Sequence, residues 1–94
     1  MEIKEFQKLI KDIYFIKDSR RGKAETFQWF VEEVGELAKA LRHGKPEELS
    51  EELSDVCAWL FSLANLIEID IESCLRKYTH GCPKCGKVPC KCKE

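Results

Sequence analysis

The chain has few basic residues where its acidic residues are densest. No Lys or Arg lies between Thr26 and Ala38, and no basic residue of any kind lies from Pro46 to Leu75, although both stretches carry several carboxylates. Ion pairs within these stretches are therefore excluded. Their carboxylates need protons, a distant cationic side chain or a metal ion to offset their charge.

The sequence also lacks a long apolar run, and we expect no secretory leader. Its longest nearly apolar stretch, Val56 to Ile67, is too short to cross a bilayer. The formal net charge of −1 gives no reason to expect a nucleic-acid-binding surface. We therefore expect a cytoplasmic protein that does not contact membranes, and we do not expect nucleic acid as a partner.

Apolar residues at helical spacing predict an all-α fold, and we see no strand alternation and no internal repeat. The predicted helices run from Ile3 to Lys17, from Thr26 to Arg42, from Glu47 to Glu68, and from a cap at Asp70 to about Tyr78. The segment "KDSRRGK" between the first two is predicted to be a loop. We divide the chain into a helical domain, residues 1–79, and an irregular tail, residues 80–94.

The second and third helices should form an antiparallel hairpin, because the connection "HGKP" between them is short. The predicted buried stripe of the second helix is Phe27, Phe30, Val31, Val34, Ala38 and Leu41. The third helix is apolar almost all round beyond Val56, so it must be buried on several sides, by this chain or by another copy. The predicted architecture is an antiparallel helical bundle built around this hairpin and completed by oligomerisation.

Carboxylates lie at matching heights on the two helices of the hairpin. Glu33 and Glu36 share one flank of the second helix, with Glu32 further round, and Glu52 and Asp55 share a flank of the third. Two carboxylates about 4 Å apart repel by about 4 kcal/mol at an effective dielectric constant of 20. Protons or a metal ion could offset this repulsion, and oxygen ligands favour Mg²⁺ or Mn²⁺. Solvated surface glutamates remain the alternative.

Trp29 and Trp59 lie one helical turn beyond the carboxylates, counted from the tip of the hairpin. The two indoles should therefore lie level with each other. They could contact a ligand bound at the carboxylates, or they could belong to the core or to a subunit interface.

The residues Glu32-Glu33-x-x-Glu36, followed by Glu52-x-x-Asp55, resemble the E-E-x-x-E and E-x-x-D signature of the MazG-like, all-α nucleotide pyrophosphohydrolases. The resemblance covers Thr26 to Lys77. It implies hydrolysis of nucleoside triphosphates, often deoxynucleotides, to the monophosphate and pyrophosphate, with Mg²⁺ present. It also implies a homodimer or homotetramer.

The resemblance implies roles for individual residues. Metal ligands would be Glu33, Glu36, Glu52 and Asp55, and Glu32 would orient or deprotonate the attacking water. Substrate contacts would come from Asn65, Arg76 and Lys77. Trp29 and Trp59 are added as candidates for stacking on the base because of their position beside the carboxylates, not because of the resemblance. Many relatives carry a basic segment after the last helix, whereas this chain turns into a cysteine cluster after Lys77. Arg20, Arg21 and Lys23 are an alternative source of positive charge, although a solvated loop is the simpler interpretation.

Four of the six cysteines lie in the tail, as Cys82-x-x-Cys85 and Cys90-x-Cys92. The Cys-x-x-Cys half is common in zinc knuckles, whereas the Cys-x-Cys half is tighter than usual. Four thiolates suit a closed, structural Zn²⁺ site. His80 could replace one cysteine, and a redox pair or disulfides are the alternatives. Cys57 and Cys74 fall inside predicted helices and are expected to be small buried hydrophobic residues.

Two other functions fit the same residues. One is a non-catalytic protein that senses nucleotides or docks a partner. The other is a nucleic-acid-binding zinc module carried on a helical bundle.

Overall fold

A computed structural model describes all 94 residues, Met1 to Glu94, and consists of four α-helices and an irregular tail. The helices are α1 (Ile3–Arg21), α2 (Lys23–His43), α3 (Pro46–Leu66) and α4 (Ile71–Leu75), and a 3₁₀ turn follows over Arg76–Tyr78. The chain contains no strand, so the predicted all-α fold is confirmed. None of its helices combines the length and the hydropathy that a membrane span requires.

The loop predicted between the first two helices is wrong. α1 continues to Arg21 and α2 begins at Lys23, so Gly22 alone separates them. Gly22 has a φ of 88°, which glycine adopts without strain, and its N–H donates to the Asp18 carbonyl at 2.8 Å. The basic residues at the end of α1 also suit the negative end of the helix dipole. Arg21 is therefore held on a helix instead of lying in a solvated loop.

The α2–α3 hairpin has the predicted turn. Gly44 adopts a left-handed conformation with a φ of 69°, and its N–H donates to the Ala40 carbonyl at 3.0 Å. Pro46 is the first residue of α3, where its missing N–H costs nothing. α2 and α3 pack against each other, and α1 packs against α3.

The buried stripe predicted on α2 is wrong within the single chain. The covered residues of α2 are Thr26, Phe30, Glu33, Leu37 and Ala40. Most of the predicted stripe lies one residue further along and is therefore rotated by about 100° around the helix. Phe27 is 51% exposed and Leu41 is 64% exposed. The flank of α2 that carries Glu33 thus faces α3, and an apolar flank remains uncovered.

The prediction that Cys57 and Cys74 are buried is also wrong, because both are exposed. α2 and α1 cover only part of the apolar circumference of α3, and Cys57 lies outside that part. The only buried hydrophobic residues are Ile10, Ala40 and Ala64. A single chain therefore leaves much of its apolar surface in contact with solvent.

A buried amide pair joins α1 to the end of α3. Gln7 Nε2 donates to Asn65 Oδ1 at 3.1 Å and to the Ile69 carbonyl at 2.8 Å. Gln7 Oε1 accepts the Ile71 N–H at 2.9 Å, and Asn65 Nδ2 donates to the Gln7 carbonyl at 3.3 Å. These bonds join the first part of α1 to the end of α3 and hold the start of α4. They leave the opposite end of α1 beside the hairpin flank that carries the tryptophans.

Candidate active site

Three carboxylates from the two helices of the hairpin converge. Oxygen atoms of Glu33, Glu52 and Asp55 lie within 4.8 Å of one another, and all three residues are half-buried. We call these three residues the acidic triad. Glu52 and Asp55 are three residues apart on α3, so they share the flank that meets Glu33 of α2. None of the ion pairs in the chain involves the acidic triad.

The charge of the triad is not compensated by protein groups. Burial raises the pKa of Glu33, and the neighbouring carboxylates of Asp55 and Glu52 raise it further. Burial also raises the pKa of Glu52, with added repulsion from Asp55 and Glu36. Glu52 Oε2 is buried and has no hydrogen-bond partner. Such an atom is costly unless it meets a proton or a cation, so the triad fits a hard metal ion with oxygen ligands.

A pair of stacked indoles lies one helical turn from the triad. The rings of Trp29 and Trp59 have centroids 5.9 Å apart and planes inclined by 16°. Trp29 is 42% exposed, so the pair is open to solvent on one side. The guanidinium carbon of Arg21 lies 4.7 Å from the centroid of Trp59. A ligand that reaches the acidic triad could therefore meet an aromatic surface and a cation beside it.

A family comparison identifies this arrangement. The profile described as the MazG nucleotide pyrophosphohydrolase domain matches residues 21–86, more than half of the chain. The chain belongs to the MazG family. The matched segment contains the acidic hairpin, both tryptophans and the first two cysteines of the tail. No curated protein sequence matches the chain.

The other predicted site residues of this MazG domain lie outside the triad. Glu36 is exposed, although its charge still contributes to the raised pKa values of the triad. Glu32 is exposed beside Glu33. Arg76 and Lys77 are exposed in the 3₁₀ turn, and the Lys77 ammonium lies 5.2 Å from the Tyr78 ring centroid. The functional roles assigned to these residues stay predictions.

Asn65 does not lie in the same cavity as Trp59, although both are predicted to contact substrate. Its side chain is engaged with Gln7, and it lines a cleft of about 410 Å³ that also includes three lysines of α1. Trp59 lines a different cavity. The hydrogen bonds assign Asn65 a structural task at the α1–α3 junction, and its contact with a nucleotide stays a prediction.

Asp18 and Thr26 are not among the candidate site residues selected from the sequence, and Arg21 is interpreted there as part of a solvated loop. Arg21 Nη1 donates to Asp18 Oδ1 at 2.9 Å and to Thr26 Oγ1 at 3.2 Å. Asp18 and Thr26 are both buried. The spacing Asp18-x-x-Arg21 at the end of a helix was the available signal, since residues three apart share a helix face. It was missed because the segment was interpreted as a loop.

The tail gathers its four thiols into one cluster. Sulfur atoms of Cys82, Cys85, Cys90 and Cys92 lie within 4.8 Å of one another, and we call them the thiol cluster. Cys82 Sγ lies 3.8 Å from Cys92 Sγ, and Cys85 Sγ lies 4.0 Å from Cys90 Sγ. His80 is exposed and is not part of the cluster.

Backbone donors stabilise a thiolate within this cluster. The Lys91 N–H donates to Cys85 Sγ at 3.4 Å, and with the Lys87 N–H it lowers the pKa of Cys85 to about 6. Hydrogen bonds with Cys90 and the other thiols raise the pKa of Cys92 to about 11. The cluster therefore shares protons when no cation is bound. Four close sulfur atoms with a readily formed thiolate fit a tetrahedral Zn²⁺ site.

The raised pKa values of the triad predict an unusual pH dependence of stability in metal-free buffer. Because Glu33 and Glu52 titrate above 4.5 in the folded chain, the native state binds more protons than the unfolded state between that value and the raised values. Their contribution to stability is complete below that window and is lost as pH rises through it. Thermal unfolding without Mg²⁺ should therefore show that Glu52→Gln gains stability relative to wild type more at about pH 7 than at about pH 5. An equal difference at both pH values would contradict this account.

Proposed function

We propose that this MazG protein hydrolyses nucleoside triphosphates, including deoxynucleotides, to nucleoside monophosphate and pyrophosphate in a Mg²⁺-dependent reaction. One observation carries the proposal: a half-buried acidic triad without cationic partners, including the unpartnered Glu52 Oε2, in a chain of the MazG family. Salt-bridged or fully solvated glutamates would not support it.

The acidic triad would hold Mg²⁺ or Mn²⁺, and Glu36 is the proposed fourth ligand at its edge. When bound, such an ion would offset phosphate charge and lower the pKa of water that it holds. The rigid α2–α3 hairpin supplies the positioning, since the ligands project from two packed helices instead of mobile loops. The raised pKa values of Glu33 and Glu52 mean that protons compete with the ion at low pH.

Glu32 is the proposed general base for water that attacks the α-phosphorus. It directly precedes Glu33 and is exposed, and its charge contributes to the raised pKa of Glu33. An exposed carboxylate in this position can accept a proton and return it to solvent.

The substrate is proposed to extend from the triad towards the stacked indoles. Phosphates at the triad would place the base near Trp29 and Trp59, where stacking contributes about 1–3 kcal/mol for each base in comparable sites. Arg21 is a cation already fixed beside Trp59. Arg76, Lys77 and Asn65 are proposed as further substrate contacts.

The test is pyrophosphate release from a panel of canonical and modified nucleotides, with and without Mg²⁺. Release that depends on Mg²⁺ supports the enzyme. Tight nucleotide binding without release would instead indicate a nucleotide sensor. Affinity for nucleic acid that falls steeply with salt, without release, would indicate a zinc module.

We further propose that the protein is a homodimer or homotetramer. The uncovered flank of α2 includes Phe27, Val31, Val34 and Leu41, all exposed in the single chain. An apolar surface of this kind is typical of a subunit interface. Sedimentation analysis should therefore find an oligomer, and Val31→Glu should shift it towards monomer because a charge would be buried. Lys39→Glu, on the exposed side of the same helix, is the control. A monomeric wild-type protein would contradict the proposal.

A further inference from the structure

A cavity of about 230 Å³ lies between the end of α1 and the middle of α3. Its walls include Tyr14, Asp18 and Arg21 from α1 and Trp59 and Ser62 from α3. Pockets for complete drug-sized ligands are usually about 300–1,000 Å³. This cavity is therefore too small for a whole nucleotide and suits one ring of it.

Asp18 lines this cavity and carries an unused hydrogen-bond acceptor. Its side chain is 2% exposed, and Oδ1 accepts the bond from Arg21. The second oxygen, Oδ2, is buried and has no partner. Buried carboxylate oxygens nearly always have a donor, because leaving one unpaired forfeits its hydration without compensation. A ligand with an N–H group would supply the missing donor.

Arg21 adds a donor next to this acceptor. Its Nη1 donates hydrogen bonds to Asp18 and Thr26, while its other N–H groups have no partner within the chain. Its guanidinium lies beside the Trp59 ring. The residues that line the cavity thus carry an acceptor, an adjacent donor and an aromatic ring. A flat heteroaromatic ring with an amino group next to a ring nitrogen matches all three.

We propose that Asp18 and Arg21 read the amino edge of a cytosine or adenine base. The exocyclic amino group donates to Asp18 Oδ2, and Arg21 donates to the adjacent ring nitrogen. In the same orientation a uracil or thymine base would present its position-4 carbonyl oxygen to Oδ2, and two acceptors repel. This assignment rests on the proposed function, because it takes the ligand to be a nucleotide with its phosphates at the acidic triad.

The test compares two nucleotides that differ only in the amino group. The probes are the α,β-imido triphosphates of deoxycytidine and of its pyrimidin-2-one analogue, bound in the presence of Mg²⁺ and followed by Trp fluorescence and calorimetry. Wild type should bind the analogue at least about tenfold more weakly, since the analogue leaves Oδ2 unpaired. Asp18→Asn should remove most of this preference, whereas Lys17→Gln, at the same cavity, should keep it.

Equal binding of the two probes by wild type would overturn the proposal. So would a preference that survives in a folded Asp18→Asn protein. The ¹³C resonance of the Asp18 carboxyl group gives a test without substitution: it should shift with the deoxycytidine probe and not with the analogue, and equal responses would also overturn the proposal. Pyrophosphate release from deoxynucleotides distinguishes failure of this inference from failure of the proposed function. Release without base discrimination removes this inference alone, whereas no binding and no release removes the proposed function.

Discussion

Replacing Asp55 with Asn should lower Mg²⁺-dependent pyrophosphate release by at least about 10²-fold and leave the helical content unchanged. Asp55 is one of three carboxylates that converge without a cationic partner and that we propose as metal ligands. A bound metal supplies several kcal/mol of charge stabilisation in such reactions, and each 1.36 kcal/mol is about a factor of ten in rate. Glu52→Gln should behave in the same way, because it alters the atom that the fold leaves buried and unpaired.

Glu51→Gln is the matched control for these substitutions. It removes the same charge from α3, one residue from Glu52 and four residues from Asp55, but Glu51 is exposed and outside the triad. Its turnover should stay within about threefold of wild type, as expected for an exposed surface charge. Circular dichroism should show the same helicity for all variants, and the metal-free Asp55→Asn protein should be at least as stable as wild type. Near-normal turnover by Asp55→Asn would refute the site assignment.

Removing zinc should disorder the tail and leave the helical bundle folded. The tail has few large apolar side chains, and Val88 is 83% exposed, so burial cannot order it. Structural Zn²⁺ sites supply about 10–16 kcal/mol of apparent binding free energy in small zinc modules. The protein purified under reducing conditions should carry about one zinc per chain. A strong chelator should abolish protection from hydrogen exchange at the Lys91 amide, which donates to Cys85 Sγ.

Cys85→Ser and Cys57→Ser form a matched pair for this prediction. Cys85 belongs to the thiol cluster, and Cys57 is an exposed thiol on α3 outside it. Zinc content should fall for Cys85→Ser and stay near one for Cys57→Ser. Pyrophosphate release should recover, at least in part, when Mg²⁺ is restored to the chelated protein, since oxygen and sulfur ligands select different metals. A protein without zinc, with its tail thiols oxidised to disulfides, would contradict the metal assignment.

The pattern of residues was sufficient to predict the helices and the meeting of the carboxylates. Apolar spacing and the Gly44–Lys45–Pro46 turn predict an antiparallel α2–α3 hairpin, and that hairpin is present. Residues three or four apart share a helix face, so counting from the tip of the hairpin predicts that Glu33, Glu52 and Asp55 lie at the same height. The same counting placed Trp29 beside Trp59. These are local relationships across one short turn, and the helix repeat fixes them.

The tertiary structure decided which flank of each helix was covered. A rotation of about 100° separates the apolar stripe of α2 from the flank that packs on α3, and periodicity does not say which one another helix will cover. The structure also excluded Glu36 from the triad and engaged Asn65 with Gln7. The position of Glu36 depends on how α2 packs on α3. The engagement of Asn65 depends on how α1 packs on α3, where Gln7 forms its hydrogen bonds.

The sequence by itself determined the all-α class, the acidic hairpin and the four clustered thiols, because each depends on residues close together in the chain. Only the tertiary structure showed that α1 carries Asp18 and Arg21 to the Trp59 cavity. Trp59 follows Asp18 by 41 residues in the sequence, and no periodic pattern links them. Both residues line the same cavity because α1 packs on α3, and in this packing Asp18 is buried and its Oδ2 has no partner.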